Sequence, residues 1–198
     1  MTNERISAFS DGVIAILITI MVLELKVPHG TDLSALSSLL PVFLTYVLSF
    51  IVLAIYWNNH HHMFYLTDRI TGGILWANLH LLFWLSLLPF VTGWMGENHF
   101  APLPTALYGV VLMMAGVAYY ILSQTIIRSQ GPQSKLKAAV GSDTKGMISV
   151  ILYLMAIPLA FVNQLFSDAI YVFVALMWLV PDRRIEQLFD EISRQEEG

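Results

Sequence analysis

Ionisable and hydrogen-bonding residues stand in small groups within long apolar segments of this chain. One group is a histidine triplet at positions 60–62, which follows Trp57 and two asparagines. A triplet suggests a metal site, but adjacent residues on a helix point about 100° apart, and no HExxH pattern accompanies them. The pattern instead favours solvated residues at a membrane interface, with one side chain such as His60 turned toward a neighbouring helix. No metal site is therefore expected.

A second group, Arg5, Ser10 and Asp11, stands where the first apolar segment begins. A hydroxyl or carboxylate at a helix start accepts hydrogen bonds from free backbone N–H groups, and a negative charge suits the positive end of the helix dipole. Helix capping is the simplest interpretation of Ser10 and Asp11. Polar groups inside a bilayer are expensive, so a functional role is the alternative.

A proton relay through Asp11, His60 and Glu24 is one such role, and it would make the chain a proton-coupled transporter. A relay needs ionisable groups connected across the bilayer. The stretch Val13–Leu23 offers only Thr19 as a polar side chain. The sequence therefore gives this alternative little support.

The first apolar segment also carries a stripe at helical spacing, in which one hydroxyl interrupts aliphatic side chains. Its members are Gly12, Ile16, Thr19, Ile20, Leu23 and Val27. Such a stripe either packs against another helix or lines a pore, where branched aliphatic rings gate by excluding water. Periodicity does not decide between the two.

The composition requires that these residues be positioned by membrane helices. Apolar residues make up 57% of the 198 positions, charged residues 12%, and the mean hydropathy is +0.67, which leaves too little polar surface for a water-soluble globule. The lipid bilayer is thus an expected partner. The net charge of -4 gives no basic excess, so nucleic acid is not an expected partner. Cysteine is absent, which excludes disulfides and thiolate chemistry.

Six segments come close to the roughly 20 apolar residues that cross a bilayer. We predict one six-helix transmembrane domain over residues 1–198, with spans at about 10–27, 36–58, 71–94, 104–127, 147–165 and 168–181. The last two are short, and proline interrupts the fifth. Apolar residues at helical spacing within 182–198 predict a cytosolic amphipathic tail.

The distribution of lysine and arginine sets the orientation, because positively charged loops stay on the cytoplasmic side. With six spans and the N-terminus inside, nine of the ten basic residues are cytoplasmic and only Lys26 is outside. The nine are Arg5, Arg69, Arg128, Lys135, Lys137, Lys145, Arg183, Arg184 and Arg194. Both termini are predicted to be cytoplasmic.

The sequence lacks a TVGYG filter loop, a GxxxxGK[ST] nucleotide loop and a serine-nucleophile elbow, which are marks of potassium filters, pumps and hydrolases. No enzyme activity and no cofactor are expected. A membrane enzyme or metal protein built on His60, His61, His62 and His80 remains the weakest alternative.

Three motifs together resemble the transmembrane protein 175 family, the bacterial homologues of the lysosomal potassium channel with one six-helix unit per chain. The first runs from Arg5 through Phe9-Ser10-Asp11 into an apolar run that closes at Thr19. The others are Trp57-x-x-His60-His61, and Asn78 followed by Leu87-Leu88-Pro89-Phe90. The match covers the first three helices; the last three agree only in character, and His62 departs from the common pattern.

The resemblance implies an all-α integral membrane protein of the bacterial inner membrane. Four such subunits would form a non-classical homotetrameric channel for K⁺, with modest preference over Na⁺ and with the first helix lining the pore. It also implies that Ile16 forms the narrowest hydrophobic ring, that Ile20 and Leu23 form further rings, and that Thr19 lies beside the constriction. The remaining signature residues would form a structural network that fixes the pore helix: Arg5, Phe9, Ser10, Asp11, His60 and Asn78.

Overall fold

The computed structural model describes residues 3–141 and 143–179, and every regular element in these ranges is helical. The predicted tail at 182–198 lies outside them. The nine α-helices are α1 (Asn3–Met21), α2 (Leu33–Ser37), α3 (Leu40–Tyr65), α4 (Gly72–Ser86), α5 (Leu88–Glu97), α6 (Pro102–Gln130), α7 (Lys135–Val140), α8 (Thr144–Leu159) and α9 (Gln164–Leu179).

Helix α1 begins well before the predicted start at residue 10 and continues as a 3₁₀ turn over Val22–Glu24. The Asn3 side chain fixes the extra turns, because its amide donates to the carbonyls of Phe64 and Thr67 at 2.7 and 3.0 Å. Ser10 therefore lies inside the helix, where its hydroxyl donates to the Ile6 carbonyl at 2.9 Å. The capping interpretation of Ser10 and Asp11 is wrong.

The second predicted segment, 36–58, corresponds to the short α2 and the long α3. Asp32 caps α2 by accepting from the Ala35 N–H, and the chain turns before α3 begins at Leu40. Helix α3 continues to Tyr65, beyond the predicted end at 58. The histidine triplet is consequently part of a membrane-length helix and does not follow it.

The third predicted segment, 71–94, contains a break. Helix α4 ends at Ser86 and α5 begins at Leu88, one residue before Pro89. Proline lacks the N–H that would continue the helical hydrogen bonds, and its ring displaces the preceding turn. The two helices together, Gly72–Glu97, are still long and apolar enough to cross a bilayer.

Four helical stretches in the described ranges reach the length and hydropathy of membrane spans: Asn3–Glu24, Leu40–Tyr65, Gly72–Glu97 and Pro102–Gln133. Helices α8 and α9 are apolar but have only 16 residues each. The all-α membrane fold is thus confirmed for four spans by length and composition. The predicted fifth and sixth spans correspond to these two shorter helices.

Helix α6 lies at the centre of the subunit, with α4, α5, α8 and α9 packed around it. Small residues on α6 make this possible, because Ala115 and Ala118 are fully buried and allow close approach of neighbouring helices. Gly109 on α6 faces Tyr171 on α9, and a Cβ at Gly109 would collide with the phenol group of Tyr171. The absence of a side chain at Gly109 therefore lets α9 approach α6 closely.

One end of the helix bundle gathers the basic residues of the described ranges. The Gln130 side chain at the end of α6 donates to the Leu66 carbonyl at 2.8 Å, and Lys135 pairs with Asp68 at 3.7 Å. These contacts join the end of α3, the start of α4 and the end of α6, near the start of α1. Six of the seven described lysines and arginines belong to this end: Arg5, Arg69, Arg128, Lys135, Lys137 and Lys145.

Candidate pore helix and its anchoring network

Helix α1 has one buried face and one bare face. Its buried face includes Ile14 and Met21, both 0% exposed, and contacts α3, α4 and α5. On the other face, Ile16 is 59% exposed and Leu23 is 76% exposed. Gly12, Thr19 and Ile20 are exposed on the same face. Apart from Val27, which lies beyond the helical turns, the predicted stripe therefore lies along the side of α1 and its 3₁₀ turn that the described part of the subunit does not cover.

The single hydroxyl of this stripe is used by its own helix. Thr19 donates to the Ile16 carbonyl at 2.9 Å, so the hydroxyl proton is committed while the oxygen can still accept a hydrogen bond. The surface beside Gly12 is open, because a Cβ added at this position would have no atom within 4 Å. The exposed face of α1 thus presents aliphatic side chains with one available oxygen.

Three buried polar side chains anchor the other face of α1 to α3 and α4. Asn78 on α4 donates to the Ser10 hydroxyl at 2.9 Å, and its side-chain oxygen lies 2.8 Å from His60 Nε2 on α3. All three residues are at most 1% exposed. His60 also stacks on the Phe64 ring, with centroids 4.5 Å apart. We call Ser10, His60 and Asn78 the anchoring network.

The hydrogen bonds of the anchoring network run in one direction. The Asn78 oxygen only accepts, so His60 Nε2 must carry the proton and donate. Asn78 then donates to Ser10, which donates to Ile6. His60 Nδ1 is buried with no hydrogen-bond partner among the described residues. This arrangement requires a proton on His60 Nε2 and holds the three helices in one register.

Asp11 uses a partner that the sequence did not indicate. The Trp57 indole N–H donates to its carboxylate at 3.0 Å, which gives α1 and α3 a second link. Trp57 is the first residue of the second family motif, Trp57-x-x-His60-His61. An indole N–H inside a membrane segment needs an acceptor, and that requirement is the one signal that could have suggested a carboxylate partner.

The remaining signature residues, Arg5 and Phe9, stay outside the network. Both are exposed, and Arg5 forms no side-chain hydrogen bond or ion pair with residues 3–141 or 143–179. They lie on the bare side of α1. The structure therefore brings together Ser10, His60 and Asn78, pairs Asp11 with Trp57, and leaves Arg5 and Phe9 free of the subunit core.

Glu24 and Lys26 lie at the opposite end of α1. The Glu24 side chain lies against Gly93 of α5, where an added Cβ would come within 2.8 Å of its carboxylate. Lys26 forms an exposed ion pair with Glu97, and the hydrogen bond to Glu97 is the main reason why the pKa of Lys26 is raised. Glu24 and the Lys26–Glu97 pair thus tie the C-terminal end of α1 and the residues after it to α5.

The histidines do not form a metal site in the described ranges. His60 is buried, His61 is exposed and His62 is half-buried, as expected for adjacent positions on a helix. His80 lies on α4 and accepts from the Trp84 indole at 3.0 Å. No group of three or more histidine, cysteine or acidic residues within 3–141 and 143–179 could hold a metal ion.

Comparison with known proteins matches the first helices to one family. Residues 5–89 match the model of the endosomal/lysosomal potassium channel TMEM175. The chain is 53% identical over 191 residues to a potassium channel of Chryseobacterium sp. (strain P1-3), covering 96% of this chain and 100% of that one. It is 34% identical over 101 residues to the endosomal/lysosomal proton channel TMEM175 of Gallus gallus, covering 45% of this chain and 20% of that one.

The fold matches as well as the sequence. A crystal structure of a lysosomal potassium-selective channel TMEM175 homolog from Chamaesiphon minutus superposes with a TM-score of 0.79 at 28% identity, covering 89% of this chain and 96% of that one. The full-length match to the Chryseobacterium protein extends the likeness beyond the first three helices. The chain therefore belongs to the TMEM175 family, a family of membrane ion channels and not of enzymes.

Proposed function

We propose that this chain is one subunit of a homotetrameric, potassium-permeable cation channel whose pore is lined by the bare face of α1. The observation that carries the proposal is the division of α1 into an anchored face and an aliphatic face that residues 3–141 and 143–179 leave uncovered. Four copies related by a central axis would bring these faces together. The potassium channel relatives support conduction of K⁺.

Ile16 forms the constriction in this proposal. Ile20 and Leu23 continue the apolar path, and Thr19 contributes an acceptor oxygen beside Ile16. A ring of isoleucines excludes water when narrow, and it has no carbonyls to replace an ion's hydration shell. Discrimination is then modest and favours K⁺ over Na⁺, because K⁺ loses its hydration water more easily. No cofactor takes part.

In this channel, α8 and α9 cross the bilayer as the fifth and sixth spans. With six spans, the basic end of the bundle and both termini are cytoplasmic, as positive charges in short loops favour. Residues 1–198 then form one transmembrane domain with a cytosolic tail at 182–198, in the inner membrane of a bacterium. Helices α8 and α9 are short, and they would lie at the lipid-facing edge of the tetramer. There the bilayer can thin locally to match their length.

The anchoring network has a structural role in the proposal. It sets the rotation of α1, so that the aliphatic stripe faces the axis, and Asp11 supports the same orientation through Trp57. Arg5 and Phe9, which the subunit core leaves exposed, contact neighbouring subunits. None of these six signature residues touches the ion.

Ion flux from potassium-loaded liposomes tests the pore assignment. We compare wild type with Ile16→Asn, and use Ile151→Asn as the matched control because Ile151 on α8 is the same residue type with 54% exposure. Ile16→Asn is expected to raise K⁺ flux or to admit Na⁺ and large organic cations, since a polar ring keeps the constriction wet. Ile151→Asn should leave flux and selectivity unchanged. Equal behaviour of the two variants would refute the pore assignment.

Proton movement is the second candidate function, because vertebrate relatives are named proton channels. A relay through Asp11, His60 and Glu24 meets a geometric obstacle. Asp11 and Glu24 are 13 positions apart on α1, about 20 Å at 1.5 Å per residue, and Thr19 is the single polar side chain between them. Uptake driven by a pH gradient in liposomes that show no passive K⁺ flux would replace the channel proposal by the transporter.

A further inference from the structure

A cavity lies inside the subunit, apart from the bare face of α1. It is formed by α3, α6, α8 and α9, and it contains about 650 Å³ of space including its opening. Its wall is mostly apolar with a few polar side chains, which is the composition typical of sites for small organic ligands. No residue of α1 lines it, so an occupant would not share the proposed pore.

Aromatic rings make up much of the cavity wall. Tyr56, Tyr119, Tyr120, Tyr153 and Trp178 all line it. The rings of Tyr56 and Tyr119 are arranged edge to face, with centroids 6.1 Å apart. The face of an aromatic ring carries negative charge density and attracts cations within about 6 Å. The wall therefore suits a positively charged group as well as an apolar body.

One carboxylate stands at the end of the cavity where α8 begins. Asp143 lines the cavity, whereas no described lysine, arginine or histidine does. Its side chain accepts from the Gly146 N–H at 3.3 Å, and the ion pairs among the described residues do not include it. Burial raises the pKa of the Asp143 carboxyl, because partial removal from water disfavours its charged form, and a cation beside the carboxylate would offset this.

Several polar groups of the wall are already engaged, and others are available. Trp178 donates to the Ser149 hydroxyl at 2.8 Å, which donates to the Lys145 carbonyl at 2.8 Å. The hydroxyls of Tyr56 and Tyr119 form no hydrogen bond with residues in the described ranges. The negative ends of these hydroxyl dipoles remain available to face a cationic group.

We propose that this cavity binds an amphipathic organic cation, an ammonium group on an apolar body, with its charge beside Asp143 and its body among the tyrosine rings. The ligand comes from the aqueous phase, because Asp143 precedes α8 and lies outside the membrane-spanning segment. The inference does not depend on the channel proposal, since it rests on helices and residues that the pore does not use.

Calorimetric titration of the full chain in a maltoside detergent, against empty micelles as reference, tests the site. The probe is phenyltrimethylammonium, and its neutral counterpart of the same shape is tert-butylbenzene. We expect saturable binding of one cation per subunit and at least tenfold weaker binding of the neutral compound, the effect expected from one partly buried charge pair.

Asp143→Asn isolates the charge. Asparagine is also a good N-cap, and it tolerates the left-handed conformation of this position, φ 44°. We expect roughly tenfold weaker binding of phenyltrimethylammonium. Asp68→Asn is the matched control, because Asp68 is an exposed acidic residue at the same end of the bundle that does not line the cavity; this variant should bind as wild type does.

Three results would overturn the proposal. Equal binding of tert-butylbenzene would show a purely apolar pocket. If Asp143→Asn bound phenyltrimethylammonium as wild type does and Ile16→Asn lost binding, the cation would bind in the pore and not in this cavity. Weaker apparent affinity after phosphatidylethanolamine is added to the micelles would identify a lipid headgroup as the occupant in place of a soluble amine.

Discussion

Replacing Asn78 by leucine is the most direct test of how α1 is held. The substitution keeps side-chain size but removes both hydrogen bonds of Asn78, to Ser10 at 2.9 Å and to His60 at 2.8 Å. Interhelical hydrogen bonds in membrane proteins contribute about 0.6–1.7 kcal/mol each, so two give about 1–3 kcal/mol. The buried His60 N–H left without an acceptor moves the expected loss toward the upper end.

Thermal unfolding in one detergent at one protein concentration measures this loss, and both must be fixed because oligomers unfold in a concentration-dependent way. Asn59→Leu is the matched control, since the Asn59 amide donates only to the Ile55 carbonyl of its own helix. The double variant His60→Leu with Asn78→Leu should recover part of the stability, because both partners become apolar. Equal stability of Asn78→Leu and Asn59→Leu would refute the network as an anchor.

Three further substitutions follow from close contacts and burial. Gly96→Ala should destabilise by about 1–3 kcal/mol in thermal unfolding, because its Cβ would meet the Val42 backbone at 2.7 Å; Gly116→Ala, with nothing closer than 3.7 Å, should be nearly neutral. Ser49→Ala should cost about 1–3 kcal/mol, because it leaves the buried hydroxyls of Thr92 and Tyr108 without this partner; the same unfolding assay measures it. The raised pKa of Asp143 means that its neutral form stabilises the fold below pH 3.8 and that this contribution is lost as pH rises through the folded value. The melting temperature of Asp143→Asn relative to wild type should therefore increase with pH, and a difference independent of pH would contradict the role of burial.

The local geometry of α1 could be predicted from the sequence, and the family motifs indicated two of its neighbours, His60 and Asn78, but not the partner of Asp11. Helical periodicity placed Ile16, Thr19, Ile20 and Leu23 on one face, and they share the bare face in the structure. The pairing of Asp11 with Trp57 joins positions 46 residues apart. Spacing along the chain contains no information about such a contact until the packing of α1 on α3 is known.

Helix boundaries were harder to predict where polar residues lie inside membrane helices. Asn59 and the histidine triplet looked like the end of the second segment, because unpaired polar groups are costly in lipid. The helix continues to Tyr65 because His60 finds Asn78 on another helix and Asn59 bonds its own backbone. The break near Pro89, in contrast, follows from the chemistry of proline alone.

The short helix α8 has a consequence for the surrounding lipid. Its 16 residues, between the Asp143 cap and the turn that follows Leu159, extend about 24 Å, whereas the hydrocarbon core of a bilayer is about 30 Å thick. In the six-span arrangement that we propose, α8 crosses the bilayer and thins the membrane around it, at a cost that rises with acyl-chain length. The protein should therefore assemble and insert more readily in bilayers of short-chain lipids, and lipid length becomes a variable by which a cell can sort it.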